Sequence, residues 1–492
     1  MADTGITSAP VPGGQAMAKP AVGLVLCYML LLLLPIKFSI GTVALSPLRV
    51  YLLFVVPVLL VNLFSGKYGR VNAADVLMTL HILWAIVAIA VNNPNRVVEN
   101  VGSTAVEFLG GYLVARASIR DPQSFKIACT YIFLSVLILI PFGVSELFSG
   151  KPVIAEAISR IPGLSSVPDV SNAKRLGLER VQNIFEHPIH YGLYSSTAFA
   201  LTFYVVASNL GIITRLLFCG LVFAAVMLSL SSGAVLAVLA QCALIGWALV
   251  FRNVPKRWIL LISSFVLAYV AVDLLSNRTP MKVFMSYATF DAQTAYYRSI
   301  INEWGMYNVW NNPIFGLGLR SWIRPGYMLR GSVDNFWLVN AMKYGIPGFL
   351  LLAAGYAYAL IAISLKNLDA DKVASVFRFA WVVTMCGLTF TLITVHVWAT
   401  IYSYTIFLLG AGIWVIDYRP TIASVPESAP QGRSALTYAR PRSAETSYSR
   451  RPAPGDEPDR GNRQSARRSR GAEGTQQVFT RFPGPHQTPG NE

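Results

Sequence analysis

Long apolar runs separated by short polar breaks organise most of this chain. Leu24 to Leu34 holds no charge, and Leu216 to Phe251 reads the same way. A helix that crosses a membrane needs roughly 20 mostly apolar residues. Backbone polar groups in lipid must be bonded internally, so only helices and closed barrels span. Strict polar–apolar alternation is absent, which points to helices. The pattern predicts spans near residues 21–40, 47–64, 73–91, 98–115, 126–147, 187–207, 212–230, 233–251, 258–275, 346–365, 376–395 and 399–416. The fold class expected is all-α: a polytopic transmembrane helical bundle of about 12 spans.

Charge placement agrees with this reading. Lys67 and Arg70 follow the second span, and Arg116, Arg120 and Lys126 the fourth. Arg215 follows the sixth, while Arg252, Lys256 and Arg257 follow the eighth. Lys366, Lys372 and Arg378 follow the tenth. Every second loop is basic, as cytoplasmic loops are, which places both termini on that side. Two loops on the opposite side are long, about 148–186 and 276–345, and long loops tend to carry function. The second contains Ser286 to Trp310, rich in Tyr, Phe and Trp, a segment expected to lie along the membrane surface.

Residues 1–20 read as a flexible cytoplasmic N-terminus with no cleavable signal peptide. Residues 21–417 form the membrane domain. From 418 to 492 Pro, Ser, Gly and Arg dominate, which predicts a disordered cytoplasmic tail able to touch anionic membrane lipids.

Composition narrows the function classes. Of 492 residues, 54% are hydrophobic and 13% charged, against about 25% charged in a soluble domain. The net charge of +16 suggests nucleic acid, but many basic residues sit in short loops and the tail, so no nucleic-acid partner is expected. Cys27, Cys129, Cys219, Cys242 and Cys386 lie in apolar runs without paired spacing. They predict neither disulfides nor a metal site, and no cofactor is called for.

Four stretches carry candidate chemistry. The first, Arg180 to Gly192, holds Arg180, Glu186, His187 and His190 at the mouth of the sixth span, with Pro188 suited to a first helical turn. Charges there are costly unless used or paired; interfacial anchoring is the alternative. The second is the Ser229-Leu-Ser-Ser-Gly233 turn, whose small residues also suit tight helix packing. The third runs from Tyr296-Tyr297-Arg298 to Asn312-Pro313-Ile-Phe-Gly316-Leu-Gly318. Arg298 matches phosphate oxygens bidentately, and the glycines permit close backbone approach. Arg320, Arg324 and Arg330 follow, an outward basic cluster that suggests an anionic ligand or lipid headgroups. The fourth leads from Asp334-Asn335 to Gly345 and Gly348. Asp334 is a general base, an arginine partner or a helix cap.

In this order, the four stretches resemble the O-antigen ligase/polymerase superfamily of polysaccharide-assembly membrane proteins, most closely its exopolysaccharide polymerase branch. The resemblance covers roughly residues 20–417, with its motifs in 180–348. Arg180 and Phe185-Glu186-His187-Pro188 match an arginine before a Phe-x-His/Asn-Pro turn. Ser229 and Ser231 match a Ser-x-Ser turn, but Ser232-Gly233 stands where an arginine usually follows. Arg298 matches the arginine of the large loop; Asn312, Pro313, Gly316 and Gly318 match an Asn-Pro-x-x-Gly-x-Gly segment. Asp334 occupies the place of the histidine in a His-Asn pair, and Asn335 matches its asparagine.

The resemblance implies a GT-C-like fold and metal-independent glycosyl transfer on the periplasmic face of a bacterial inner membrane, from an undecaprenyl-pyrophosphate-linked oligosaccharide. Arg180 and Arg298 would stabilise the departing pyrophosphate. Asp334 would take the acceptor proton, with His187 or Glu186 as alternatives. Glu186, His190, Ser231, Arg320, Asn335, Gly316 and Gly318 would bind substrate. The function expected is polymerisation of repeat units in exopolysaccharide or O-antigen-like biosynthesis, alongside a flippase and a chain-length regulator. The alternatives are a ligase that moves glycan to another acceptor, and a transporter of anions or lipid-linked sugar.

Overall fold

The computed structural model describes residues 21–419, apart from 41–42, 171–173, 176, 278–279, 281–282, 284–291 and 329–330. The expected N-terminal and C-terminal segments therefore lie outside the described residues, as does Arg330. Each of the twelve predicted spans coincides with a helix. The helices are α1 Val22–Leu32, α2 Pro47–Phe64, α3 Ala73–Asn92, α4 Ser103–Ser118, α5 Pro122–Ser149, α6 Val153–Ser159, α7 Pro188–Leu201 and α8 Ile212–Leu228. They continue with α9 Ser232–Val250, α10 Arg257–Leu275, α11 Ala292–Asn311, α12 Phe336–Leu365, α13 Lys372–Thr394, α14 Ala399–Gly410 and α15 Trp414–Asp417. Among the described residues, eight helices are long and apolar enough to cross a membrane, counting Ala399–Asp417 as one, and α1 and α8 are shorter apolar helices. The protein is a polytopic helical membrane protein.

Local chemistry sets where the helices begin. Asn72 and Asp75 form a reciprocal capping box at the start of α3, and Asp121 and Ser124 do the same for α5. Each such cap stabilises a helix by about 1 kcal/mol. Pro47, Pro122 and Pro188 stand in first turns, where a missing N–H costs nothing. Gly150 ends α5 with φ of 71°, the left-handed backbone that glycine tolerates.

The first predicted span is corrected. Helix α1 stops at Leu32, and the chain turns into a two-stranded antiparallel hairpin, β1 Phe38–Ile40 and β2 Val43–Leu45. Polar Lys37 and Ser39 break the apolar run here, and Lys37 pairs its backbone with Ser165 of the first long loop. The aromatic segment is also refined. Helix α11 buries Ile300, Ile301 and Val309 against Trp322, Val333 and Leu338, forming a small core of its own. Tyr296, Tyr307 and Trp310 remain exposed on the same helix.

Outward apolar side chains such as Phe54, 76% exposed, and Leu275, 87% exposed, suit lipid and would be costly in water. Helix α10 buries none of its residues.

The basic ends of the helices meet. Arg116 is 1% exposed, and its guanidinium donates to the Tyr68 carbonyl at 2.7 Å, the Arg70 carbonyl at 2.9 Å and the Asp75 and Asp417 carboxylates at 3.3 Å. Lys366 Nζ donates to the Ile416 carbonyl at 2.6 Å. The opposite ends meet likewise: Phe336 N–H donates to Val395 at 3.1 Å, and Val181 N–H to Leu228 at 3.2 Å.

Candidate active site

The first stretch is built by a carboxylate below it. Glu146, near the end of α5, accepts the backbone N–H groups of Gln182 and Asn183 at 2.8 Å each. Asn183 takes φ of 58° and donates its side chain to the Leu139 carbonyl. These bonds hold the turn between Arg180 and the start of α7. His187 caps that helix, its Nδ1 accepting the Ile189 N–H at 3.1 Å. An imidazole that accepts through Nδ1 carries its proton on Nε2 and is neutral. His190 is buried one turn on, its ring centroid 4.0 Å from that of Trp398.

Arg298 is buried and Arg180 half-buried. Nε and one terminal nitrogen of each have no hydrogen-bond partner among the described residues. Burial and then the charge of Arg175 push Arg180 down to about 10. Burial lowers Arg298 as well; Asp334 opposes that shift and Arg175 adds to it. A guanidinium keeps its proton at neutral pH regardless. Each is a cation with orphaned donors, a charge that an anion would relieve.

Asp334 lines a small pocket with Arg298, Asn302 and Asn335. It faces Arg298 as a counter-charge, which is one of the three readings its sequence allowed. Asn335 caps α12, its side-chain oxygen accepting the Leu338 N–H at 3.1 Å. That atom is spent on the helix rather than on substrate.

Three further residues or segments expected at the substrate have bonds within the chain. Arg320 donates to Asn92 at 2.7 Å and to the Leu317 carbonyl at 3.2 Å, so it braces two loops. The Gly316–Gly318 segment is no phosphate cradle. Its amides are committed within the chain: Gly316 to Asn312, Leu317 to Met342, Gly318 to Lys343 and Leu319 to Asn93. Both glycines have positive φ, 65° and 62°, and a Cβ on Gly316 would come within 2.6 Å of the Gly345 nitrogen. The glycines serve backbone packing. Ser231 is buried in its turn, its N–H bonded to Ser229 Oγ at 3.3 Å.

A cavity of about 430 Å³ is walled by the hairpin and by the α4, α12 and α14 ends. Glu186 reaches it, paired with Lys37 at 2.6 Å. Arg49 and Glu107 face it as a second ion pair, 2.7 Å apart. His396 and Trp398 complete the wall, and Trp398 also lies 6.1 Å from His187 between ring centroids. Burial, then Lys343, pushes His396 down to about 4, leaving it neutral.

Sequence reasoning missed Lys37, Arg49, Glu107, Arg175 and His396. An acid inside an apolar run is itself a signal, and Glu107 carries it. Among the described residues, no three His, Cys, Asp or Glu side chains are placed to hold a metal ion.

Residues 217–353 match the profile of the family described as O-Antigen ligase. No curated protein matches the chain significantly. The matched segment runs from α8 through the Ser-x-Ser turn, the large loop and the start of α12, and over these residues the chain is similar to that family.

Proposed function

We propose that this protein polymerises undecaprenyl-pyrophosphate-linked oligosaccharide repeat units on the periplasmic face of a bacterial inner membrane, with both termini in the cytoplasm. The observation that carries the reading is the pair of arginines, Arg180 and Arg298, each with donors that have no partner among the described residues, together with a cavity that Glu186 and Trp398 line. The donor pyrophosphate seats on the arginines, and the cavity takes the acceptor sugar. An acceptor hydroxyl attacks the anomeric carbon. A new carbon–oxygen bond forms, the bond to the pyrophosphate breaks, and its electron pair leaves on the pyrophosphate oxygen. The arginines meet the charge as it develops, without a divalent metal.

The acceptor proton goes to Glu186. Of the three candidates it lines the cavity. Asp334 lines the separate small pocket with Arg298, and His187 presents a protonated Nε2, which suits donation of a hydrogen bond to a sugar or phosphate oxygen. A flippase would supply the repeat units, and a chain-length regulator would act on the product.

The test uses the full chain in nanodiscs with a synthetic undecaprenyl-pyrophosphate oligosaccharide and a chelator. The expected result is a ladder of longer lipid-linked glycans that disappears with Arg298→Ala. A folded protein that yields no ladder, but moves the glycan once to an added acceptor, would make it a ligase instead.

A further inference from the structure

The cavity at the ends of α4, α12 and α14 carries its charges in pairs, with one left over. Lys37 pairs with Glu186 at 2.6 Å, and Arg49 with Glu107 at 2.7 Å, so each couple is neutral as a unit. Lys343 of α12 lines the same cavity, and among the described residues no ion pair includes it. It is half-buried. Its ammonium lies 5.1 Å from the centre of the Tyr344 ring, a contact that stabilises a cation without cancelling its charge. His396, on the same wall, is close enough to feel Lys343 and is itself neutral. The lining therefore has one net positive charge. A lysine that serves only as an anchor extends its ammonium to water or headgroups; this one lines a walled space.

Trp398 stands on that wall and is 40% exposed. The rings of His190 and His396 pack against it, their centroids 4.0 and 5.9 Å away. An indole held in this way offers an apolar surface to the C–H face of a sugar ring, while the flanking polar groups suit its hydroxyls.

We propose that the cavity selects an acidic acceptor: the sugar it receives bears a carboxylate, as a uronic acid does, which Lys343 meets while Trp398 stacks on the ring. The inference rests on the reading of the cavity as the acceptor site. A neutral sugar would strip water from the ammonium and return no counter-charge. A phosphate monoester, at about −1.5 to −2, would exceed the one charge available. A lysine supplies a compact point charge, enough for one carboxylate. Glu107 and Glu186 do not turn the carboxylate away, because Arg49 and Lys37 neutralise them.

The experiment measures transfer kinetics with the full chain in nanodiscs of zwitterionic lipid. The donor is the lipid-linked repeat unit of the producing cells. The acceptor is the soluble oligosaccharide released from that repeat unit by mild acid, either native or with its carboxyl groups reduced to alcohols by carbodiimide and borohydride. The reduced acceptor is expected to show a KM at least tenfold above the native one, the effect falling on KM rather than kcat. This comparison in the wild type needs no variant. Lys343→Met, similar in length and uncharged, is expected to raise KM for the native acceptor by the same factor, with no further rise for the reduced one. Lys343→Arg keeps the charge and is expected to keep the preference.

A repeat unit without a carboxylate, or equal KM values for the two acceptors in the wild type, would overturn the inference and leave the cavity to a neutral sugar. Phosphatidylglycerol in the nanodiscs that raises the native acceptor's KM in the wild type but not in Lys343→Met would overturn it as well, assigning Lys343 to a lipid headgroup. A folded wild type that elongates neither acceptor would remove the polymerase, and binding of the two acceptors, followed by tryptophan fluorescence, then decides. Tighter binding of the native acceptor that Lys343→Met abolishes keeps the acidic-sugar site; equal binding overturns it.

Discussion

Replacing Arg116 by alanine should unfold the membrane domain more readily than any loop substitution near the cavity. The guanidinium is 1% exposed, and Asp75 beside it is fully buried. Removing one partner of a buried ion pair leaves an uncompensated charge, at a cost of about 3–5 kcal/mol. Here Tyr112 still donates its hydroxyl to Asp75 at 2.7 Å, and Asp417 is partly exposed and can be hydrated. Both place the loss near the lower bound, about 3 kcal/mol, or roughly a hundredfold in the ratio of unfolded to folded protein. Cys129 and Cys219 are buried free thiols, so labelling of these two by a thiol-reactive dye, read by peptide mapping, reports unfolding. In a denaturant series, Arg116→Ala should shift the transition by that amount. The double variant Asp75→Asn with Arg116→Leu removes both charges and should recover most of the loss. A single variant within 1 kcal/mol of wild type, or a double variant no better than the single, would refute the argument that the paired charges hold these helix ends together.

Gly345→Ala should cost more than about 2 kcal/mol, since the residue has φ of 74° and a Cβ there would fall onto the Ile314 carbonyl oxygen; recovery of folded protein after detergent extraction checks it. Glu186→Gln should lower the rate of ladder growth by about 10²–10⁴-fold with folding intact; an unchanged rate would remove Glu186 as the proton acceptor. His396 should make stability pH-dependent. Burial and Lys343 hold it at about 4, below its ordinary 6.5. Its contribution is present above about 6.5 and is lost as pH falls from there toward 4, because the unfolded chain takes up the proton first. His396→Gln should reduce that slope in a melting series from pH 7 to pH 4.

The spans were legible because lipid leaves an apolar run little choice but helix. Helices begin within a few residues of the predicted bounds where a cap or proline stands, as at Ser46-Pro47 and His187-Pro188. Helix α12 begins ten residues before its expected span, since Phe336 and Trp337 are apolar but follow a polar loop. The halt of α1 at Leu32 was hidden, because the hairpin that follows is nearly as apolar as the helix. Side-chain roles were harder. Asn335 and Arg320 look free in sequence; Asn335 caps α12 through Leu338, three residues on, and Arg320 reaches the distant Asn92. Arg175 lies in a run of small and basic residues that reads as solvated surface; its place on the Leu230 carbonyl is a contact between residues 55 positions apart.

The interlock of the Pro313–Leu319 loop with α12 and the end of α3 bears on how this chain can be recombined with others. Pro313 accepts from Ile346, Leu317 and Gly318 donate to Met342 and Lys343, and Asn92 and Asn93 close the other side. A designer who exchanges this loop for a relative's, hoping to import a different acceptor preference, transplants half of a joint. The exchange unit is the loop together with residues 342–348 and the Asn92-Asn93 pair, three pieces far apart in the gene that must travel as one cassette.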